Sequence, residues 1–175
     1  MCNCKYREDK LHHECGVLGI YGVPDAAGLA YYGLHTLQHR GQQGCGIVTV
    51  GPAGEFHRVK GDGLVSEVFN EQKIEKLQGK MAIGHVKYSG AGCKGVENLQ
   101  PFLFHHSSGD FALAHNGQIV NYQQLRKEME DRGSLFQSVS DAEILAHLIK
   151  KQGIDKEQPR IESLKNALNM LEGAF

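Results

Sequence analysis

The 175-residue chain has no tryptophan, four prolines and a net charge of only -1. Nineteen Lys and Arg against 20 Asp and Glu leave no basic footprint of the kind that nucleic-acid binding requires. No stretch approaches the ~18 apolar residues of a membrane-spanning helix. The first fourteen residues, MCNCKYREDKLHHE, have no apolar centre, which argues against a secretory signal and for a cytoplasmic protein. The five cysteines are an odd number, and without a secretory context they do not read as a disulfide framework. Cys2-x-Cys4 lies near His12 and His13, but the paired spacings of a zinc site are missing. A solvated tail is the ordinary reading, and no metal site is expected. The chain also lacks a G-x-S-x-G nucleophile elbow, a Walker P-loop and a G-x-G-x-x-G opening a helix.

What remains is an ordinary globular balance, 41% hydrophobic and 22% charged, with a length suited to one domain. Glycine is the exception, at 22 residues without any period, so these positions read as turns and close backbone approaches. Strands come first. CGVLGIYG (15–22) is a Gly-bounded apolar run, and Ile47–Val50 and Phe56–Val59 flank the turn sequence GPAG. Met81–Lys87 and Asp110–His115 are two more. A helix with Asp25 as N-cap carries Ala26, Leu29, Ala30, Gly33, Leu34 and Leu37 and stops at Gly41.

The second half reads as helical. Asn121 is placed as the N-cap of a helix presenting Tyr122, Leu125 and Met129, with Gly133 as its stop. Ser140-Asp141-Ala142-Glu143 matches a capping box ahead of Ile144, Leu145 and Leu148. After Pro159, Ile161, Leu164, Leu168 and Leu171 form one expected apolar stripe. Gly173-Ala174-Phe175 look like the start of another strand, so the chain reads as cut short, with sheet edges left unpaired.

Three polar, Gly-containing stretches sit at the ends of apolar runs: HRGQQG (39–44), GHVKYSGAG (84–92) and AHNG (114–117). Each has a bland reading. His39 and Arg40 can cap a helix C-terminus. His85 can be a satisfied strand histidine, Asn116-Gly117 a hairpin turn, and Asp141 an N-cap. Among nucleophiles a cysteine is favoured, because a thiol is partly ionised near neutrality. Cys45 and Cys93 are flanked by glycine and could be buried or exposed. Cys15 differs in opening the first strand directly after the polar tail. If that tail were removed, Cys15 would bear an α-amino group with a pKa near 8, able to act as base for its own thiol.

The motifs CGVLGIYG, YYGLHTLQHRGQ, GDGLVSEVF, GHVKYSGAG, ENLQPF, LAHNG and SDAEILAHLI, in this order from Cys15 to the end, resemble the glutamine-dependent amidophosphoribosyltransferase family. The resemblance implies an α+β fold of the N-terminal-nucleophile (Ntn) hydrolase type, with two antiparallel sheets between helix layers. It implies a propeptide over 1–14 and an incomplete class II glutamine amidotransferase domain over 15–175. A phosphoribosyltransferase domain would be absent. By the same resemblance Cys15 attacks the side-chain amide of glutamine, and Asn116 and the Gly117 N–H form the oxyanion hole. Asp141 holds the α-ammonium, Lys87 stands at the α-carboxylate position, and Arg40 and Gly41 line the nucleophile. The ammonia released would serve phosphoribosylamine formation from phosphoribosyl pyrophosphate in purine biosynthesis.

No cofactor is implied for this stretch. Mg2+, and in propeptide-bearing relatives a 4Fe-4S cluster, belong with the missing C-terminal part, as does assembly into a homo-oligomer. Two positions depart from the family pattern: Lys87 replaces an arginine and Gly90 a threonine, both at the carboxylate subsite. A lysine supplies one point charge where arginine offers a planar fork. Gln118 replaces a common asparagine. The competing readings are a truncated remnant without turnover, the glutaminase domain of another class II amidotransferase, and a metal- or redox-responsive Cys/His protein.

Overall fold

A computed structural model describes residues 15–88, 95–106, 109–152 and 160–174. The tail, Gly90, Cys93 and Pro159 lie outside the described residues. The chain divides into two compact units, 1–116 and 117–175. The α+β class expected from the sequence holds.

The first unit is built on one antiparallel sheet. β1 (Gly16–Tyr21) is followed by α1 (Ala26–Thr36) and a 3₁₀ turn, Leu37–Arg40. The hairpin β2 (Gly44–Val50) and β3 (Phe56–Asp62) comes next, then two short helices, α2 (Val65–Val68) and α3 (Glu71–Glu75), and β4 (Met81–Lys87). The strand order is β1-β4-β2-β3, so β4 is inserted between β1 and β2. Period-2 alternation then divides the sheet into two faces. Cys45, Ile47, Ala82 and Val86 turn to α1 and pack with Ala26, Ala30 and Leu34 in an apolar core. Asp25 caps α1 as expected, its carboxylate accepting from the Gly28 N–H at 3.0 Å.

The opposite face carries His85, Lys87, Gly44, Gly46 and Lys60, by the cross-strand register. A second, two-stranded sheet, β5 (Phe102–Phe104) with β6 (Phe111–Leu113), belongs to the same unit. The chain leading into it lies against β2. A Cβ on Gly46 would come within 2.4 Å of the Gln100 carbonyl oxygen and 3.0 Å of Pro101, so only glycine permits this approach.

The second unit contains β7 (Gln118–Ile119), α4 (Tyr122–Glu130), α5 (Ala142–Gln152), α6 (Arg160–Leu168) and β8 (Gly173–Ala174). The strand expected at the end of the chain is β8, paired antiparallel with β7. Asn116-Gly117 is therefore not a hairpin turn. β6 pairs with β5, and β7 pairs with β8.

Three local expectations fail in this unit, each because a group outside the helix in question takes the side chain or the face. Asn121 occupies the N-cap position without capping. Its amide instead donates to the Met170 carbonyl at 3.0 Å and accepts from the Glu172 N–H at 3.1 Å. The capping box does not close, because Glu143 accepts from the N–H groups of Gln137 and Ser138, both at 2.8 Å, and from the Ser138 hydroxyl. The Ile161–Leu164 stripe is not the packed face of α6: Ile161 is 69% exposed, whereas Ser163 and Ala167 are buried. Small residues allow close helix approach, so α6 meets its neighbours through these two.

Candidate functional site

The nucleophile candidate is one residue ahead of the β1–β4 ladder, which begins at Gly16 opposite Val86. Cys15 is partly buried. Its thiol accepts from the Tyr88 N–H at 3.4 Å, just past the end of β4. Its carbonyl accepts from Arg40 Nε at 3.2 Å. The bland reading of HRG is thus split between its two basic residues. His39 caps locally, with Nδ1 2.9 Å from the Thr36 carbonyl, while Arg40 reaches 25 residues back to Cys15.

Gly41 explains how these parts come so close. A Cβ there would lie 2.5 Å from the Lys87 carbonyl carbon and 2.9 Å from its nitrogen. The Gln43 N–H donates to the Lys87 carbonyl at 3.0 Å, continuing into the Gly44–Lys87 pair. Gln38 holds the outer side of this corner, a role the sequence reading missed. Its amide nitrogen donates to the Gly41 carbonyl and its amide oxygen accepts from the Val65 N–H, both at 2.6 Å. Nothing in the sequence distinguishes that glutamine from its neighbours.

The structure therefore brings together Cys15, Arg40, Gly41 and Lys87 at one end of the main sheet. Asn116 closes the first unit, whereas Gly117 and Asp141 are built into the second. Gly117 has φ +144°, a backbone conformation that disfavours any side chain. Asp141 is not an N-cap: its Oδ2 accepts from the Ile119 N–H at 3.0 Å, which ties it to β7.

Burial sets Cys45 and His85 apart. Cys45 is fully buried, and burial pushes its thiol up to about 12, so it is inert near neutrality. His85 is 1% exposed; burial first, then the Lys87 charge, depress it to about 4. The alternative reading as a satisfied strand histidine is not met by its ring nitrogens. Its ring lies near the His115 main chain but makes no hydrogen bond of good geometry among the described residues.

Lysine 60, unremarked in the sequence reading, lies on the same sheet face. Its Nζ donates to the Leu99 carbonyl at 2.9 Å, and burial lowers it to about 8. Alternation groups it with Arg58 and Asp62 on the charged side of β3, so nothing in the sequence set it apart. Among the described residues no three His, Cys, Asp or Glu side chains gather to hold a metal ion, and no helix is long and apolar enough to cross a membrane.

Comparison with known proteins places this geometry. A family model described as a glutamine amidotransferase domain matches residues 91–175. An amidophosphoribosyltransferase of Lacticaseibacillus casei is 50% identical over 166 residues, covering 94% of this chain and 84% of the relative. Amidophosphoribosyltransferase 1, chloroplastic, of Arabidopsis thaliana is 48% identical over 96% of this chain but only 29% of its own length. The solved structure of glutamine phosphoribosylpyrophosphate amidotransferase from B. subtilis, complexed with ADP and GMP, superimposes with a TM-score of 0.81 at 47% identity. That match covers 90% of this chain and 33% of the solved one, so the chain spans about a third of the length of the plant and B. subtilis relatives. The chain belongs to the amidophosphoribosyltransferase family, in which it corresponds to the N-terminal glutamine amidotransferase region.

Proposed function

We propose that this chain carries the glutaminase step of an amidophosphoribosyltransferase, with Cys15 as nucleophile. The observation that carries the reading is the setting of Cys15. Its thiol meets a main-chain N–H at the sheet end and its carbonyl is held by Arg40, while the other described cysteine is sealed in the core. Removal of residues 1–14 as a propeptide would leave the Cys15 α-amino group to accept the thiol proton. The thiolate then adds to the glutamine side-chain carbonyl. The oxyanion is met by the Asn116 amide and the Gly117 N–H. The proton passes to the departing nitrogen, ammonia leaves, and water hydrolyses the thioester to glutamate. Asp141 pairs with the α-ammonium and Lys87 with the α-carboxylate, while Arg40 and Gly41 keep the nucleophile in place.

The same reading assigns the ammonia to phosphoribosyl pyrophosphate, bound by a phosphoribosyltransferase part outside these residues. Any Mg2+ or 4Fe-4S cluster, and homo-oligomeric assembly, go with that part. A cytoplasmic site of action is retained for this chain, although the plant relatives are named as chloroplastic.

The test is intact-mass analysis after treatment with a glutamine-like electrophile. One adduct on Cys15 of the processed chain, and none while residues 1–14 remain attached, is expected. Preferential labelling of Cys45 or Cys93 would overturn the assignment.

A further inference from the structure

Two lysines grip consecutive carbonyls of one turn. Lys60 Nζ is 2.9 Å from the Leu99 oxygen, and Lys87 Nζ is 3.4 Å from the Asn98 oxygen. The turn itself is a 3₁₀ loop over Val96–Asn98, closed by Asn98 N–H to Gly95 and Leu99 N–H to Val96, both at 3.1 Å. It is pressed on the sheet because β2 presents glycines there: a Cβ on Gly44 would lie 2.7 Å from the Leu99 side chain. Asn98 and Leu99 are consequently buried, at 6% and 0% exposure. The Lys60 contact has ordinary hydrogen-bond length, and the Lys87 contact is near its outer limit. Of these two contacts to the turn, that of Lys87 is the longer and weaker.

We propose that Lys60 is a positioning residue for the carboxylate subsite, holding the 95–99 turn on the sheet while Lys87 leaves the Asn98 carbonyl to meet the α-carboxylate of glutamine. This rests on the assignment of Lys87 to that carboxylate. It also gives a physical account of how a point charge serves where the family pattern has an arginine fork. The fork would orient itself through two bonds; Lys87 has its surroundings held for it by a second cation.

The charged groups facing Lys60 are Arg58 on its own strand, Glu97 on the turn and Lys87 on β4. The neutral His85 ring lies beyond Gly46 on the same face. Burial, Arg58 and Lys87 depress Lys60, and Glu97 opposes them. An anion arriving at Lys87 adds negative charge to this cluster and raises the Lys60 pKa. Carboxylate binding is thereby linked to proton uptake around pH 8, and affinity falls as pH rises through that value.

The experiment is calorimetric binding of L-glutamine to the processed full chain carrying Cys15→Ala, so that turnover plays no part. Lys60→Met and Lys60→Arg are made in that background, and each is titrated at pH 7 and pH 9 in two buffers of different ionisation heat. We expect Lys60→Met to weaken binding about ten-fold at pH 7, the scale of one charge-assisted hydrogen bond. It should also abolish the Lys60-linked proton uptake. Lys60→Arg should bind as the parent at pH 7 and more tightly than the parent at pH 9, because an arginine stays charged. Titrations of glutamine's own amine are common to all three proteins and cancel in the comparison. Unchanged affinity and proton uptake in Lys60→Met would overturn the role of Lys60 alone. Failure of the parent to bind glutamine at all would overturn both this inference and the glutaminase reading.

Discussion

Substituting Gly41 by alanine tests the corner that assembles the nucleophile. The backbone there is extended, φ −158° and ψ 125°, so alanine carries no conformational penalty and the effect is purely steric. The new Cβ would lie 2.5, 2.7 and 2.9 Å from the Lys87 C, O and N atoms. Ordinary carbon contacts are ~3.5–4.0 Å, so the 40–43 segment and the end of β4 must part by about 1 Å. Overpacking of this kind costs ~1–3 kcal/mol. At ~2–4 °C per kcal/mol for a domain of this size, Tm should fall by roughly 2–12 °C.

The rate effect should be larger than the stability effect. Arg40 and Tyr88 flank the two separated segments, and they supply the bonds to the Cys15 carbonyl and thiol. A ~1 Å error in a reacting group costs about 100-fold. The assay is the alkylation rate of Cys15 by the glutamine-like electrophile, followed with thermal melting of the same samples. Gly19→Ala is the control, since a Cβ there meets nothing within 4 Å. If Gly41→Ala alkylates and melts like Gly19→Ala, the close approach at residue 41 does not position the nucleophile and the reasoning fails.

Two further predictions concern titration and charge. His85 is depressed to about 4 in the fold and titrates near 6.5 when unfolded, so the unfolded chain takes up the proton first. Its contribution is intact above pH ~6.5 and declines towards pH 4, by about 3 kcal/mol in all. His147, also lowered by burial, acts in the same direction, so the comparison is a difference. Urea unfolding at pH 7 and pH 4.5 should show a smaller loss in His85→Asn than in the parent, and equal losses would contradict the assignment. Asp141→Asn keeps an oxygen for the Ile119 N–H but loses the charge assigned to the substrate ammonium. Its Tm should stay near that of the parent while KM for glutamine rises about ten-fold or more, with kcat less affected; an unchanged KM would remove Asp141 from the subsite.

Local chemistry was legible wherever a side chain acts on its own neighbours. Asp25 caps α1 as its position implies, and Met81–Lys87 is β4 to the residue. Legibility stopped where a side chain is claimed by a segment outside its own helix. Asn121, Asp141 and Glu143 all have cap-compatible positions, yet bond to Met170, Ile119 and the 137–138 main chain. Periodicity misplaced the packed face of α6 because it weighs Ile161 and Leu164 above Ser163 and Ala167, although close helix contact favours the small pair. At the candidate site, Cys15, Arg40 and Gly41 were legible through motif resemblance and meet in space. Lys60, Gln38 and the Tyr88 N–H were not, since their roles exist only once β2, β3 and β4 are aligned.

The attachment of Cys15 bears on the proposed removal of residues 1–14. Among the described residues, the bonds that hold it fall on its carbonyl oxygen and its sulfur. Its nitrogen takes no part in the ladder, which starts at the following residue. Cleaving the peptide bond before Cys15 would turn an amide nitrogen into a basic amine and break neither of those contacts. Under the proposed processing, the cut would therefore change the protonation chemistry of the nitrogen beside the thiol while the contacts to the Cys15 carbonyl and sulfur stay in place.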